Sequence, residues 1–308
     1  MKNKGFFIAL SLVLVFLLSS CSYPSDARVF NQQEQTTYPL SNPEEVLKLA
    51  IETNQQSEIA QKVWFSGWIA NNIQKRRTTN MYSGVLISPH GYYTDARLVG
   101  IPYRYYKWDD YYYIWTGKTD WQRVTPDQIE HLSFQPFDHL IWWEPFFNRA
   151  VQLPNEKILS KDTFVYQIKL SGDEWINQSN NPIFEPVHAM LKETEYLDTL
   201  LEQTDVTMTV WIGNDEYTEE DITNLAEKKN INIENKEELK QWITENRFIW
   251  NSDKQIYTHH LIYQYQAKIQ LPIPGAGYMD QEIYFRFYKY DDPGISIQTP
   301  EEMEKYIK

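Results

Sequence analysis

The sequence has very little cysteine: Cys21 is the single one among 308 residues. The chain beyond Cys21 therefore has no partner thiols for a disulfide bond and no thiolate ligands for a metal site. Its stability must come from a hydrophobic core. The hydrophobic content of 42% is sufficient for one.

The chain also lacks the motifs that commonly carry catalysis. There is no Gly-x-Ser-x-Gly, no His-Glu-x-x-His and no glycine-rich phosphate-binding loop. Of the six histidines, His259 and His260 would point to opposite sides of a strand, and His131 and His139 have no carboxylate at metal-ligand spacing. We therefore expect no catalytic residue, no metal and no cofactor, and a protein that is not an enzyme.

Positive charge is scarce as well. The chain has 29 basic against 42 acidic residues, a formal charge of -13, which becomes -15 once the two lysines of the leader are removed. Such a surface repels nucleic acid and anionic lipid headgroups, so we expect neither as a direct charge partner. The adjacent pairs Asp109-Asp110 and Asp291-Asp292 fit tight turns better than acid–base catalysis, and they lack the spacing of a calcium loop.

What the chain does contain begins with a leader. Lys2 and Lys4 form a short basic region, and residues 6–18 are apolar apart from Ser11. This is the anatomy of a signal peptide, and the run is shorter than a typical membrane span.

The leader ends in Leu18-Ser19-Ser20-Cys21, which resembles the bacterial lipobox. The resemblance implies that Cys21 receives a diacylglycerol group on its thiol, which palmitate would label, and becomes the first mature residue. Two acyl chains suffice for stable attachment to a membrane. The alternative is a secreted protein that is cleaved nearby and carries an incidental cysteine.

After the leader, the sequence divides into a polar tether and a folded domain. Residues 21–40 are polar, with Pro24 and Pro39, and we interpret them as a flexible, lipid-anchored tether after a signal peptide at 1–20. Residues 41–45 predict a helix start, because Asn42 is a capping side chain, Pro43 suits the first turn and acids follow. We expect residues 41–308 to form one domain.

One stretch organises that domain. From Tyr257 to Leu271, apolar or aromatic residues alternate with mostly polar ones, which predicts a half-buried antiparallel strand. At about 3.3 Å per residue a single strand of this length would span on the order of 50 Å. Because so long a strand must twist and bend, we expect a strongly curved antiparallel sheet with a concave apolar face.

Other segments alternate in the same way or show helical spacing. Strands are predicted at 62–69, 81–88, 91–101, 103–108, 111–115, 119–124, 164–170, 206–212 and 283–290. Residues 134–151 are apolar nearly all round and helical in spacing, and 181–203 predicts another helix. Residues 214–254 are acidic and contain two helix-start patterns, at Thr218 and Asn235, so we interpret this stretch as a helical insertion.

The order of these parts resembles the LolA/LppX-like bacterial lipoproteins, including an uncharacterised Gram-positive branch. Residues 43–50, the run 112–121 with the helical residues 134–151 and strand 164–170, and residues 287–302 carry the resemblance. It implies an α+β fold in which an open half-barrel of antiparallel strands is closed by helices on its concave face. In that family the space between them often takes a lipid. The acidic insertion and the many Tyr and Trp residues depart from the family pattern.

Aromatic side chains are the candidates for ligand contact. If helices and sheet leave a gap, these rings would line an apolar pocket suited to an acyl chain. The alternative is that they simply pack as core. The candidate residues are Trp64, Trp68, Trp142, Trp143, Phe146, Phe147, Tyr263 and Tyr265.

Three functions compete at this point. The first is a non-enzymatic, membrane-anchored extracytoplasmic lipoprotein that binds a hydrophobic ligand in the concavity. The second is an envelope sensor or accessory subunit that meets a protein partner through residues 214–254. The third is a cell-wall carbohydrate binder that uses outward-facing rings in the aromatic run 103–115.

Overall fold

The computed structural model of the chain describes residues 37–38, 42–73, 76–88, 90–117, 120–126, 136–178, 197–273 and 277–307. All of them belong to one compact unit, Thr36–Lys308. Statements below about what is present or absent concern these residues.

The first helix begins where its capping residues predict. Asn42 Oδ1 accepts a hydrogen bond from the Glu44 amide at 3.0 Å, and Pro43 occupies the first turn, where its missing N–H costs nothing. The predicted cap residues Thr218 and Asn235 also begin helices. The described helices are α1 (Pro43–Gln56), α2 (Asp138–Ile141), a 3₁₀ helix (Glu144–Arg149), α3 (Gly172–Gln178), α4 (Leu197–Glu202), α5 (Glu219–Lys228), α6 (Lys236–Glu245), α7 (Pro300–Met303) and a second 3₁₀ helix (Glu304–Tyr306).

None of these helices is long and apolar enough to cross a membrane. Strands make up most of the remaining described chain. In chain order they are β1 (Thr37–Tyr38), β2 (Lys62–Ile73), β3 (Arg76–Ile87), β4 (Gly91–Leu98), β5 (Ile101–Trp108), β6 (Tyr111–Trp115), β7 (Gln122–Val124), β8 (Val151–Ile158), β9 (Lys161–Ser171), β10 (Asp205–Gly213), β11 (Asp215–Tyr217), β12 (Ile249–Asn251), β13 (Ile256–His259), β14 (Ile262–Ile273) and β15 (Gly277–Tyr288).

The strands form one large sheet and one small sheet. The large sheet has 11 antiparallel strands in the order β7-β6-β5-β4-β3-β2-β15-β14-β10-β9-β8. Its two edges, β7 and β8, do not pair with each other, so the sheet stays open. β7 has only three residues, and β8 contains Pro154 and a register shift between Leu153 and Glu156. The small sheet has the order β1-β12-β13-β11.

Different parts of the chain pack against the two faces of the large sheet. We call the face that packs against α1, α3, α4 and the first 3₁₀ helix the inner face; it carries the main core, including Phe65, Tyr265 and Phe285. The opposite face is called the outer face. The predicted α+β class, an open antiparallel half-barrel with helices, is confirmed.

The predicted single strand from Tyr257 to Leu271 is wrong in one respect. The chain forms two strands, β13 and β14, with a break at His260 and Leu261. β13 pairs with β11 and β12 in the small sheet, whereas β14 lies between β10 and β15 in the large one. The alternation gives no sign of the break, because Tyr257, His259 and Leu261 are all buried.

The acidic segment after Asn214 contains two short strands, β11 and β12, in addition to the two predicted helices. α5 and α6 pack with β11, β12 and β13 around a core of their own. That core is built from Ile59, Ile222, Ala226, Leu239, Trp242, Ile243, Phe248 and Tyr257. Because Ile59 follows α1, this segment shares its core with the start of the domain.

Candidate ligand-binding site

The inner face is lined by apolar side chains on every strand of the large sheet from β6 to β9, in the order of the sheet. On β14 and β15 the inward positions are Tyr265, Ala267, Ile269, Leu271 and, opposite them, residues such as Ile283 and Phe285. The alternation of the sequence places them there, since every second residue of a strand points to the same side. On β9 and β10 the inward positions are Tyr166, Ile168, Leu170, Val206, Met208 and Val210.

Helical residues cover part of this lining. Trp143, Phe146 and Phe147, from the turn after α2 and the following 3₁₀ helix, are all more than nine-tenths buried in the same core. Just before α2, the ring of Phe137 stacks on Phe287 with centroids 4.3 Å apart. The Tyr265 hydroxyl donates a hydrogen bond to the Pro136 carbonyl oxygen at 2.8 Å, which ties the covering segment to β14.

Two hydroxyl groups on the inner face lie in this apolar surrounding. Thr94 on β4 and Tyr105 on β5 are paired directly across the strands and are 0% and 1% exposed. Neither hydroxyl has a hydrogen-bond partner among the described residues. Burial raises the pKa of the Tyr105 hydroxyl, so the group stays protonated and remains a donor. A buried hydroxyl without a partner costs about 1–3 kcal/mol, which a ligand acceptor would relieve.

The predicted ligand residues divide between the two faces. Four of them, Trp143, Phe146, Phe147 and Tyr265, come together in the inner-face core. Trp142 is half-buried and lies against His139, with ring centroids 4.5 Å apart. Burial lowers the pKa of His139 well below its ordinary value, so this ring is neutral.

Three predicted residues lie on the outer face and face away from the covering helices. Trp64 packs against Val85 and Ile295, and Trp68 stacks on Tyr284 at 4.0 Å. The prediction that they line the concavity with the helical rings is therefore wrong, although Trp64 and Trp68 do share a face. Both faces of β2 are apolar, so the sequence could not show which face meets the helices.

Tyr263 leaves the inner face because of a β-bulge. The register between β10 and β14 shifts between Trp211 and Ile212, and Tyr263 packs with Val165 and Trp211 instead of with Tyr265. Its hydroxyl donates to Asp215 Oδ2 at 2.6 Å, and burial together with that carboxylate raises its pKa. The ring lies over Gly213, where a Cβ would meet Tyr263 Cε2 at 2.2 Å, so only glycine fits there.

Several predictions concern residues outside the described part of the chain. They are the lipidation of Cys21, the signal peptide, nearly all of the tether and most of the predicted helix 181–203. In the described part of the chain, no group of three His, Cys, Asp or Glu residues is arranged to hold a metal ion.

Sequence reasoning missed the pair Thr94 and Tyr105. Each sits in an ordinary strand pattern, and only the strand pairing places the two residues next to each other on the inner face. The signal that existed was weak: a Thr and a Tyr at inward positions of neighbouring strands.

The chain is similar to known proteins in its structure and not in its sequence. No family model matches the chain, and no curated protein matches it in sequence. Among solved structures, LprF from Mycobacterium bovis matches over 84% of this chain and 96% of its own, with 9% identity and a TM-score of 0.38. The lipoprotein LppX from Mycobacterium tuberculosis matches over 83% and 97%, with 10% identity and a TM-score of 0.36.

The solved structures that the chain resembles thus include the lipoprotein LppX and a member of the LolA superfamily. A LolA superfamily protein from Nitrosomonas europaea is also similar, with 7% identity, a TM-score of 0.27 and coverage of 87% of this chain and 98% of that one. At these identities the similarity concerns the path of the chain alone and assigns no role to any residue.

Proposed function

We propose that the chain is a non-enzymatic, membrane-anchored extracytoplasmic lipoprotein that holds a hydrophobic ligand against the inner face of its sheet. The observation that carries the proposal is the inner face itself, an apolar lining that runs across β2–β5, β9, β10, β14 and β15. Apolar lining with a few polar groups is the usual composition of a small-ligand site.

The hydroxyls of Thr94 and Tyr105, which have no partner among the described residues, give the ligand a second property. A purely hydrocarbon ligand would leave both hydroxyls without a partner, at a cost of about 1–3 kcal/mol each. A ligand with an apolar body and a hydrogen-bonding group, such as an acyl ester, satisfies them. We therefore propose an amphipathic lipid as the ligand class.

The test compares two neighbouring tyrosines on opposite faces. Tyr105 and Tyr106 are each 1% exposed, but Tyr105 belongs to the inner-face core and Tyr106 packs against Met303 on the outer face. Full-length protein is purified from membranes in a mild detergent, and lipid that co-purifies is extracted and quantified by mass spectrometry. We expect a defined lipid near one equivalent in the wild type.

Tyr105→Phe should retain about fivefold less lipid, which corresponds to the loss of one hydrogen bond of about 1 kcal/mol. Its stability without ligand should not fall, since the variant removes a hydroxyl that has no partner among the described residues. Tyr106→Phe should retain lipid like the wild type. An absence of co-purifying lipid, or equal losses in the two variants, would contradict the proposal.

A further inference from the structure

The C-terminal segment, residues 293–307, crosses the outer face of the large sheet. Ile295 is 1% exposed and packs against Val85 and Ile87 on β3. Further along, Met303 is 1% exposed and packs against Tyr106 and Tyr113. The segment is thus fixed to the sheet at both ends.

Polar contacts hold the same segment in place. The Tyr106 hydroxyl donates to the carbonyl oxygen of Gln298, and the Tyr113 hydroxyl donates to Glu304 Oε1 at 2.7 Å. At the end of the segment Ile307 forms a bridge with Trp121. The segment therefore has a defined position.

Between these anchors the segment and the sheet together line a pocket of about 430 Å³. This volume falls within the ~300–1,000 Å³ typical of small-ligand sites. We call it the outer-face pocket. Its lining is Trp64, Val85, Tyr93, Arg104, Trp121, Ser296, Ile297, Gln298 and Tyr306.

The lining combines flat apolar rings with paired hydrogen-bonding groups. Trp64, Tyr93, Trp121 and Tyr306 supply four aromatic rings from four separate parts of the chain. Arg104 is fixed by two contacts: its Nε donates to Asp95 Oδ2 at 3.1 Å, and its guanidinium lies 4.6 Å from the ring centroid of Trp115.

We propose that the outer-face pocket binds a neutral saccharide of one or two sugar rings. The C–H face of a pyranose ring is apolar and stacks on aromatic rings, while its hydroxyls both donate and accept hydrogen bonds. Arg104 supplies donors, its partner Asp95 and the Gln298 amide supply acceptors, and the rings supply the stacking surface.

The charge of the site favours a neutral ligand. Asp95 already neutralises Arg104, so an anionic ligand gains little from the guanidinium, and the acidic chain as a whole repels anions. The ring of Tyr306 is 51% exposed, so the pocket is open to water, which suits a hydroxylated ligand better than an acyl chain. The site lies on the face opposite the proposed lipid site and stands independently of it.

The test is calorimetric titration of the full-length protein with maltose, cellobiose and N,N′-diacetylchitobiose, each measured separately. The detergent must have no sugar headgroup, because such a headgroup would compete for the pocket. We expect saturable binding of at least one disaccharide, accompanied by a change in tryptophan fluorescence from Trp64 and Trp121. If none of the three binds, the proposal is overturned.

Two variants locate the binding. Tyr306→Ala should weaken it about fivefold through the loss of one stacking ring, and Arg104→Met about tenfold through the loss of charged donors. Tyr306→Phe keeps the ring and should bind like the wild type, which separates a lost contact from a lost fold.

Tyr278→Ala is the matched control, because Tyr278 is 53% exposed on β15 and lies outside the pocket lining. It should leave the affinity unchanged. Equal effects of Tyr278→Ala and Tyr306→Ala would overturn the proposal, as would displacement of the disaccharide by octanoate, which would identify the pocket as an acyl-chain site.

Discussion

His259 carries its ring proton on Nε2, because that atom lies 3.0 Å from the Asn246 carbonyl oxygen, and a carbonyl oxygen only accepts. Its other nitrogen, Nδ1, has no partner among the described residues, and the ring is 0% exposed between Tyr217 and Phe248. A second proton would leave a charge and an unpaired N–H inside the fold. Burial, with the neighbouring His260 adding repulsion, therefore lowers the pKa of His259 to about 4.

We expect this burial to make stability depend on pH. His260 is also 0% exposed, and burial lowers its pKa to about 4. An unfolded histidine binds its proton near pH 6.5, so between pH 6.5 and 4 the unfolded chain binds more protons than the folded one. The free energy of unfolding should therefore fall as the pH falls through this window, by roughly 3 kcal/mol for each histidine at its lower end.

Urea unfolding followed by tryptophan fluorescence at several pH values between 7.5 and 4 measures this slope. His259→Gln removes one titrating group and should flatten the slope, whatever its effect on stability at neutral pH. His90→Gln is the control, because the His90 side chain is 48% exposed. Equal slopes in His259→Gln and the wild type would show that burial of His259 does not govern the acid response.

For single residues, the sequence predicted which side chains are buried better than it predicted the face of the sheet on which they lie. Tyr265 was placed correctly with the helical rings, because the alternation along β14 is regular from Gln264 onward. Tyr263 was assigned to the wrong face of the sheet, because a bulge reverses the alternation just before Tyr265. The bulge arises from the pairing of β14 with β10. A bulge is a property of two strands, so one strand's sequence does not reveal it.

At the scale of elements, the C-terminal segment acts as a second cover on the sheet. Its buried residues Ile295 and Met303 are separated by exposed and half-buried ones, and its α7 begins at a capping box in which Thr299 and Glu302 bond each other's backbone amides. The helix start fixes the direction of the last turn, which carries Glu304 to the Tyr113 hydroxyl.

Met303→Ala should therefore lower the free energy of unfolding by about 2–3 kcal/mol, as expected when a buried methionine is truncated. Met81→Ala serves as the control, because Met81 is 58% exposed and its loss should change stability by less than about 0.5 kcal/mol. Chemical denaturation of the two variants measures both values. Similar values in the two variants would mean that the C-terminal segment contributes little to the fold.

The acidic segment is joined to the domain by buried contacts as well as by its core. Asn246, which follows α6, accepts hydrogen bonds from the Ser57 hydroxyl and from the Glu58 amide at 2.7 Å. Lys229 pairs with Asp291 and donates to the Glu58 carbonyl oxygen at 2.8 Å. Deleting residues 214–254 would break these contacts, so an interaction role is better tested by changing exposed acids of α5 and α6.

For the elements, prediction from sequence succeeded where the signal is local. The helix starts at Asn42, Thr218 and Asn235 were found, because a cap is a matter of a few adjacent residues. The outer-face pocket was not found, because Trp64, Tyr93, Trp121 and Tyr306 meet only when the C-terminal segment crosses the outer face of the sheet. The aromatic run 103–115 was predicted to present some rings outward to sugars, but Tyr106 and Tyr113 are buried under that segment.

For the whole molecule, the arrangement places the two proposed ligand sites on opposite faces of the large sheet. The inner face is apolar and covered by helices, and the outer face carries the aromatic pocket under the C-terminal segment. Both depend on a single open sheet. The general form of that sheet followed from period-2 alternation and family resemblance, whereas its division into a large and a small sheet at His260 did not.

The proposed attachment of the molecule to a membrane depends on Cys21. We expect metabolic labelling with a palmitate analogue to mark the wild type and to leave Cys21→Ala unmarked, because the thiol is the attachment atom of the proposed anchor. Ser22→Ala should be labelled like the wild type. Equal labelling of Cys21→Ala and the wild type would contradict the anchor, and the chain would then have to be treated as a secreted protein.

An open sheet exposes two rows of backbone groups that could recruit a second molecule, and proteins concentrated on a surface meet one another often. Here each described edge is a poor template. β7 ends after three residues, and β8 presents Pro154, which has no N–H to donate, beside a shift in register. The sheet can thus keep its two edges unpaired without assembling edge to edge into fibres at high local concentration.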